Sequence, residues 1–228
     1  MRRILWGTLI WLIGIGAAAA AIPSSDAKRL NEAAQVVTEL RATPEKGIPG
    51  DLWDKAACVV VIPGMKKAAF VFGGEYGKGV MSCRTGNAWS APVFMQLAKG
   101  SWGLQIGAQA IDLVLLVMNR EGADKLLGDK VTLGADAAIA AGPVGRSGTA
   151  ATDARLSAEI LSYSRTKGIF AGIDLSGGVL RPDKDVNEKV YGAKAATEII
   201  ASTASTPAEA RAFVNTLGRE ARATTGQR

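Results

Sequence analysis

Cys58-Val59-Val60-Val61-Ile62, closed by Pro63-Gly64, is the run on which the fold turns. Five apolar residues in a row, three of them valine, show neither polar alternation nor a 3.6-residue stripe. They read as a buried strand stopped by the Pro-Gly pair. Outward toward the C-terminus the same signal repeats. Strands are predicted over 68–73 and 77–84, with a turn at Gly73-Gly74-Glu75-Tyr76-Gly77 between them and another at Thr85-Gly86-Asn87. Further strands are predicted over 91–98, 103–109, 112–118, 130–141, 158–163, 168–175 and 178–180. A short helix over 119–127 interrupts them, and Gly142-Pro143-Val144-Gly145-Arg146-Ser147-Gly148 reads as a loop.

Outward toward the N-terminus the periodicity is helical. Ala27, Leu30, Ala34, Val37 and Leu40 recur behind a cap at Ser25 or Asp26, which predicts a helix over 26–41. A second helix is predicted over 50–57, with Leu52 and Trp53 as core anchors. Helical patterns return over 185–190, 194–201 and 208–222, the last opened by Thr206-Pro207. Many short strands between helical ends predict an α+β fold, a curled antiparallel sheet or barrel with helices at both chain ends. A faint echo places Lys67, Phe70 and Gly77 against Lys167, Phe170 and Gly177, too few matches to establish a repeat.

The 228 residues are 48% hydrophobic and contain no histidine. That removes the usual general base and the commonest metal ligand, so a Ser–His–Asp triad, a Cys–His pair and a Cys/His zinc site are all excluded. A Ser-Lys dyad is the enzymatic alternative left, and no G-x-S-x-G elbow accompanies it. Gly73 to Gly79 is glycine-rich but lacks the spacing of a Walker loop or a dinucleotide fingerprint. Asp112, Asp136, Asp153 and Asp174 are scattered acids that read as caps and turn residues. The expectation is a protein without catalytic residues, metal or cofactor.

At the N-terminus, Arg2-Arg3 precede 18 uncharged residues, Ile4 to Ala21, which end in Ala19-Ala20-Ala21. This is the layout of a secretory signal peptide cleaved after Ala21, and it predicts a periplasmic protein. An uncleaved membrane anchor is the alternative. No cysteine follows the run, which argues against a bacterial lipoprotein. Losing two arginines and no acid would lower the net charge from +6 to +4, a mild attraction to anionic surfaces. No run of five like charges points to nucleic acid. Cys58 and Cys83 can pair as a disulfide in such a compartment or stand as two buried thiols, and the sequence leaves both open.

Six segments carry a resemblance. They are Trp89-Ser90-Ala91-Pro92; Gly103-Leu104-Gln105-Ile106-Gly107; Asp112-Leu113-Val114; Thr132-Leu133-Gly134-Ala135; Ala141-Gly142-Pro143-Val144-Gly145-Arg146; and the ten residues from Tyr163 to Gly172. In this order and spacing the chain resembles the SYLF domain over about Lys28 to Gly192. The resemblance implies lipid binding, with phosphoinositides preferred by eukaryotic members and actin filaments bound by some fungal ones. For an exported bacterial form it implies membrane phospholipid in general. The corresponding division is a signal peptide over 1–21, a SYLF domain over 22–192 and a C-terminal helical extension over 193–228. Eukaryotic members pair an amphipathic N-terminal helix with basic residues. Here Glu32 and Glu39 offset Lys28, Arg29 and Arg41 on that helix, and its apolar face is largely alanine and short aliphatics.

Lys66, Lys67, Lys78, Arg84 and Lys99 fall near predicted turns, and Arg146 lies in the glycine-rich loop. If the turns share one end of the sheet, these cations form a phosphate-binding patch. Otherwise they are ordinary solvated charges. Trp89 and Trp102 sit beside turns, where an indole suits either a membrane interface or rim packing; Trp102 joins the candidate lipid site. The expected partner is an anionic phospholipid or membrane surface, with a protein of the cell envelope as the alternative.

Overall fold

The computed structural model describes residues 22–42, 47–69, 72–102, 107–144, 158–166, 169–201 and 206–225. Its centre is β1 (Cys58–Ala69), paired antiparallel with β2 (Phe72–Thr85) on one side and β5 (Gly107–Val117) on the other. Val59 to Ile62 are fully buried because both faces of this strand are covered, which is why the run is continuously apolar. β4 (Val93–Trp102) and β10 (Val179–Pro182) extend the sheet beyond β2, and β8 (Ile160–Thr166) extends it beyond β5. Four short strands finish it: β3 (Ala88–Trp89), β6 (Val131–Thr132), β7 (Ile139–Ala141) and β9 (Ile169–Gly172). The fold is α+β, a strongly curled half-barrel with helices toward both ends of the chain. Among the described strands the ladders are antiparallel except that β7 runs parallel to β8, so the sheet is mixed.

Pro63-Gly64 does not end β1. The ladder slips there against both neighbours, between Val61 and Lys66 toward β2 and between Ile62 and Met65 toward β5. This is a bulge. Gly64 supplies a positive φ of 57°, and its N–H donates to Asp112 Oδ1 at 2.8 Å. The predicted turn at Gly73 to Gly77 is likewise interior strand, part of β2. Gly77, and Gly79 beyond it, answer the bulge. A Cβ on Gly77 would stand 2.5 Å from Ile62 Cγ2, and one on Gly79 would stand 2.2 Å from the Val61 carbonyl oxygen. The bulged strand presses onto β2, and only glycine leaves room. The strand predicted over 130–141 divides into β6 and β7 around a turn, where Asp136 Oδ2 accepts from the Thr132 N–H at 2.7 Å.

Each face of the sheet has its own apolar core. On the first, Val59, Val61, Val80, Phe94, Val114 and Tyr163 pack beneath four helices: α1 (Ser24–Ala42), α2 (Gly50–Lys55), α4 (Lys184–Tyr191) and α6 (Arg211–Thr225). On the second, Val60, Ile62, Met65, Met81, Met95 and Leu115 pack against α3 (Arg120–Leu127) and α5 (Ala196–Ala201). α1 buries Leu30, Ala33, Val37 and Leu40, its predicted stripe moved by one residue at Ala33. Phe213 and Leu217 of α6 are fully buried in the same core.

Two polar devices lock this arrangement. The edge of β4 at Phe94 meets no strand, and the Asn187 side chain of α4 takes its place. Asn187 Oδ1 accepts from the Phe94 N–H at 2.8 Å, and Nδ2 donates to the Phe94 carbonyl at 2.9 Å. Cys58 and Cys83 stand opposite each other in β1 and β2, Cα atoms 3.9 Å apart, joined as a buried disulfide.

Replacing Asn187 by Ala strands a buried N–H and removes a second bond, so urea unfolding should show a loss of about 2 kcal/mol. Reducing the disulfide, or the double change Cys58→Ala with Cys83→Ala, should cost about 3 kcal/mol, since the bridge closes a 25-residue separation.

Candidate functional site

Lys66 and Lys67 are neighbours in β1 and so point to opposite faces. Lys67 faces the second core. Its Nζ lies 2.6 Å from Glu75 Oε1, a carboxylate that is itself buried. Lys99 stands across the ladder from Glu75 on the other side and donates to the Asp174 carbonyl at 3.1 Å. Lys66 faces the first side, opposite Tyr76, and is exposed. Lys78 shares that face two residues on, with Nζ 2.8 Å from Asp183 Oδ2. That charge-assisted bond raises its pKa above the usual lysine range.

Arg84 belongs to the opposite end of β2. Its Nε and Nη2 donate to the carbonyls of Ala56 and Trp53, each at 3.0 Å, and its guanidinium lies 4.6 Å over the Trp89 ring. Burial lowers its pKa. Arg84 therefore pins α2 and the buried Trp89 to the sheet, away from the other cations. Trp102 closes β4, paired in register with Phe72, and Arg146 lies outside the described residues. The expected single patch does not assemble. Lys66 and Lys78 share one face, Lys67 and Lys99 the other, and Arg84 sits at the far end.

The scattered acids stay apart. Asp112 holds the bulge and pairs with Arg165 at 2.7 Å, and Arg165 also reaches Glu39 of α1. Burial pushes the Asp112 carboxyl up and the Arg165 guanidinium down. Asp174 accepts from the Ser176 hydroxyl at 2.6 Å and from its N–H at 2.8 Å, which lowers its pKa. Asp153 lies outside the described residues. Among the described residues no three potential ligands gather as a metal site.

What the fold does assemble is a bare strip on the first face. α1 crosses this face from the Arg29–Asp26 pair, beside Phe94, to the Glu39–Arg165 pair at β8. Beyond it the sheet is uncovered. One row of the ladder reads Lys66, Tyr76, Ala98, Val179, and the next reads Lys78, Gln96, Arg181. Tyr76 is 46% exposed, with its hydroxyl 3.3 Å from Gln96 Oε1. Lys66 and Arg181 are exposed and have no ion-pair partner among the described residues. Tyr76 and Arg181 escaped the sequence reading, because only the register of β10 on β4 brings Arg181 into line. A cleft of about 420 Å³ adjoins the strip, lined by Lys130, Arg181 and Lys184 but equally by Asp129, Asp183 and Asp185. Its charges balance, so it is no trap for phosphate. A second cleft of about 590 Å³ lies between α3, α4 and the segment before α5, bordered by the 2.5 Å Lys184–Asp129 ion pair.

Comparison with known proteins adds a lineage. The family model described as Ysc84, Las17-binding protein actin regulator, matches residues 98–220. SH3 domain-containing YSC84-like protein 1 of Xenopus laevis is 34% identical over 179 residues, which are 75% of this chain and 53% of that protein. LAS seventeen-binding protein 3 of Saccharomyces cerevisiae is 33% identical over 160 residues, 68% of this chain and 34% of the relative. SH3 domain-containing protein PJ696.02 of Schizosaccharomyces pombe is 32% identical over 200 residues, 83% and 46% respectively. The matched region thus amounts to between about a third and about half of each relative's length.

Lys78, Tyr163 and Tyr191 all have raised pKa values, the lysine through Asp183 and the two phenols through burial. Their ordinary values are 10.5 for lysine and 10.0 for tyrosine. Above about pH 10 the unfolded chain releases protons that the native state keeps, so stability is full below that pH and falls as pH rises. Urea midpoints should hold steady up to about pH 9 and drop from about pH 10. Lys78→Met should lower the midpoint at neutral pH by the equivalent of up to about 1 kcal/mol and flatten the alkaline fall.

Proposed function

The chain belongs to the Ysc84 (SYLF) family, and from that premise we propose that it is an exported, non-enzymatic module that binds the surface of anionic phospholipid membranes. The observation that carries this reading is the bare strip. Lys66 and Arg181 stand exposed without counter-ions among the described residues, on either side of the half-exposed Tyr76. A cation near an anionic membrane contributes about 1 kcal/mol, and an exposed phenol suits the headgroup boundary. The N-terminal leader pattern and the Cys58–Cys83 bridge both suit an oxidising compartment outside the cytoplasm.

A second reading has its own support. The family description and the yeast relative are named for binding Las17. On that reading the strip would receive an acidic surface of an envelope protein, with lipid incidental.

Cosedimentation of the chain from Ile22 with phosphatidylglycerol vesicles, against phosphatidylcholine vesicles, tests the choice. Binding should require the anionic lipid and weaken with salt. Lys66→Gln with Arg181→Gln should reduce it about 30-fold, at about 1 kcal/mol for each cation. Unchanged binding in the double variant would remove the strip from the site. Absence of binding at low salt would end the phospholipid reading and favour the protein partner.

A further inference from the structure

The cleft of about 420 Å³ beside the strip is neutral as a whole, but its charges are not equally free. Two of its three acids are already held. Asp183 is buried and accepts from Lys78 at 2.8 Å, and Asp129 accepts from Lys184 at 2.5 Å. Lys130, Arg181 and Asp185 are exposed, and none of them has an ion-pair partner among the described residues. With the paired charges set aside, the cleft offers two cations and one carboxylate.

The register of the sheet brings the two cations together. β6 pairs Thr132 with Val179 and Val131 with Leu180. One step further along that ladder Lys130 comes level with Arg181, and both line the cleft. Like charges facing each other across a ladder repel. An anion between them would replace that repulsion with charge-assisted bonds, and arginine offers a phosphate its fork. Gln96 stands beside Arg181 on β4 and lines the same cleft. Its Oε1 accepts from the Tyr76 hydroxyl at 3.3 Å, which leaves its amide N–H groups to donate.

Asp185, in the first turn of α4, is the odd member of the set. Its carboxylate would repel a lone phosphate and attract an ammonium. A ligand carrying both groups meets every free charge in the cleft, whereas a ligand carrying one of them leaves the other charge unanswered. The volume falls within the range of about 300–1,000 Å³ that small-molecule sites occupy.

We propose that this cleft binds a zwitterion in which a phosphate and a primary ammonium lie close together, as in phosphoethanolamine. The phosphate meets Lys130, Arg181 and Gln96, and the ammonium meets Asp185. The group can arrive as a lipid headgroup or as a free molecule. Capture from a membrane rests on the phospholipid reading, while the ligand chemistry rests on the cleft alone. Arg181 belongs to both cleft and strip, so a bound headgroup would lie at the border of the strip.

Amide chemical shifts of the chain from Ile22, titrated with soluble phosphoethanolamine, test it. Saturation is expected at about millimolar concentration. Inorganic phosphate and ethanolamine, each lacking one of the two groups, should bind about fivefold more weakly or worse. Lys130→Gln with Asp185→Asn leaves the net charge unchanged and alters two exposed positions, so the thermal melt should hold while phosphoethanolamine binds about tenfold more weakly. With phosphatidylglycerol content fixed, vesicles completed with phosphatidylethanolamine should bind the wild type about fivefold more tightly than vesicles completed with phosphatidylcholine, whose methylated nitrogen has no proton to donate. The double variant should lose that difference. Saturable phosphoethanolamine binding without the vesicle preference would keep the site and assign it to a free zwitterion. No saturable shift, phosphate binding as tight as phosphoethanolamine, or full affinity in the double variant would overturn the proposal. Such a failure beside intact binding to phosphatidylglycerol vesicles would leave the phospholipid reading standing. Phosphoethanolamine binding by a chain that cosediments with no vesicle would end that reading and keep the cleft.

Discussion

The bulge at Pro63-Gly64 is the constraint on which the rest of the sheet depends. Strand alternation alone would send Met65 and Lys67 to the α1 face and Lys66 to the other. The slip of the ladder reverses this: Met65 enters the core beneath α3, and Lys66 comes out beside Tyr76. The same bulge drives Ile62 and Val61 against β2, where Gly77 and Gly79 make the contact possible. It is held by Asp112, which pairs with Arg165, which in turn reaches Glu39 on α1. One backbone irregularity thus fixes a core side chain, a surface cation and the seating of the long N-terminal helix.

Cations in this chain divide by their work. Arg84 is bound to two carbonyls at the end of α2 and stacked on Trp89, so removing it would take a charged donor from both carbonyls and the stack from the indole. Lys67 and Lys78 neutralise carboxylates that burial would otherwise penalise. Lys66 and Arg181 carry no such duty among the described residues and are free to meet a ligand. Surface charge count alone would rank all five alike.

Much of the architecture was legible in the sequence. Val59 to Ile62 announced a buried strand, Leu30 to Leu40 a packed helix, and Asn119 the start of α3, where its side chain caps the Gly122 N–H at 2.8 Å. The failures share a cause. Pro-Gly and Gly-Gly are turn signals when only local conformation is considered, yet Gly64 serves a bulge inside β1, and Gly77 and Gly79 are spent on the close approach of that bulged strand to β2. The same holds for the site. Which face Lys66 takes depends on the bulge, and what Arg181 stands beside depends on β10 docking against β4. Neither is encoded in any window of neighbouring residues. The resemblance to the SYLF domain supplied the family, while the placement of each lysine required register.

The covalent bridge has a consequence for proteolysis. Cys58 opens β1 and Cys83 lies near the close of β2, so the disulfide turns the longest hairpin of the sheet into a ring. A protease that cuts once between Ala69 and Phe72, at the far end of that ring, divides the chain in sequence without dividing it in mass. The two pieces stay joined through sulfur, with the β1–β2 ladder and its flanking strands still paired. Such a nicked molecule would run as one species until a reductant released its halves. A protein with this ring can lose a peptide bond between β1 and β2 and keep its two halves covalently joined.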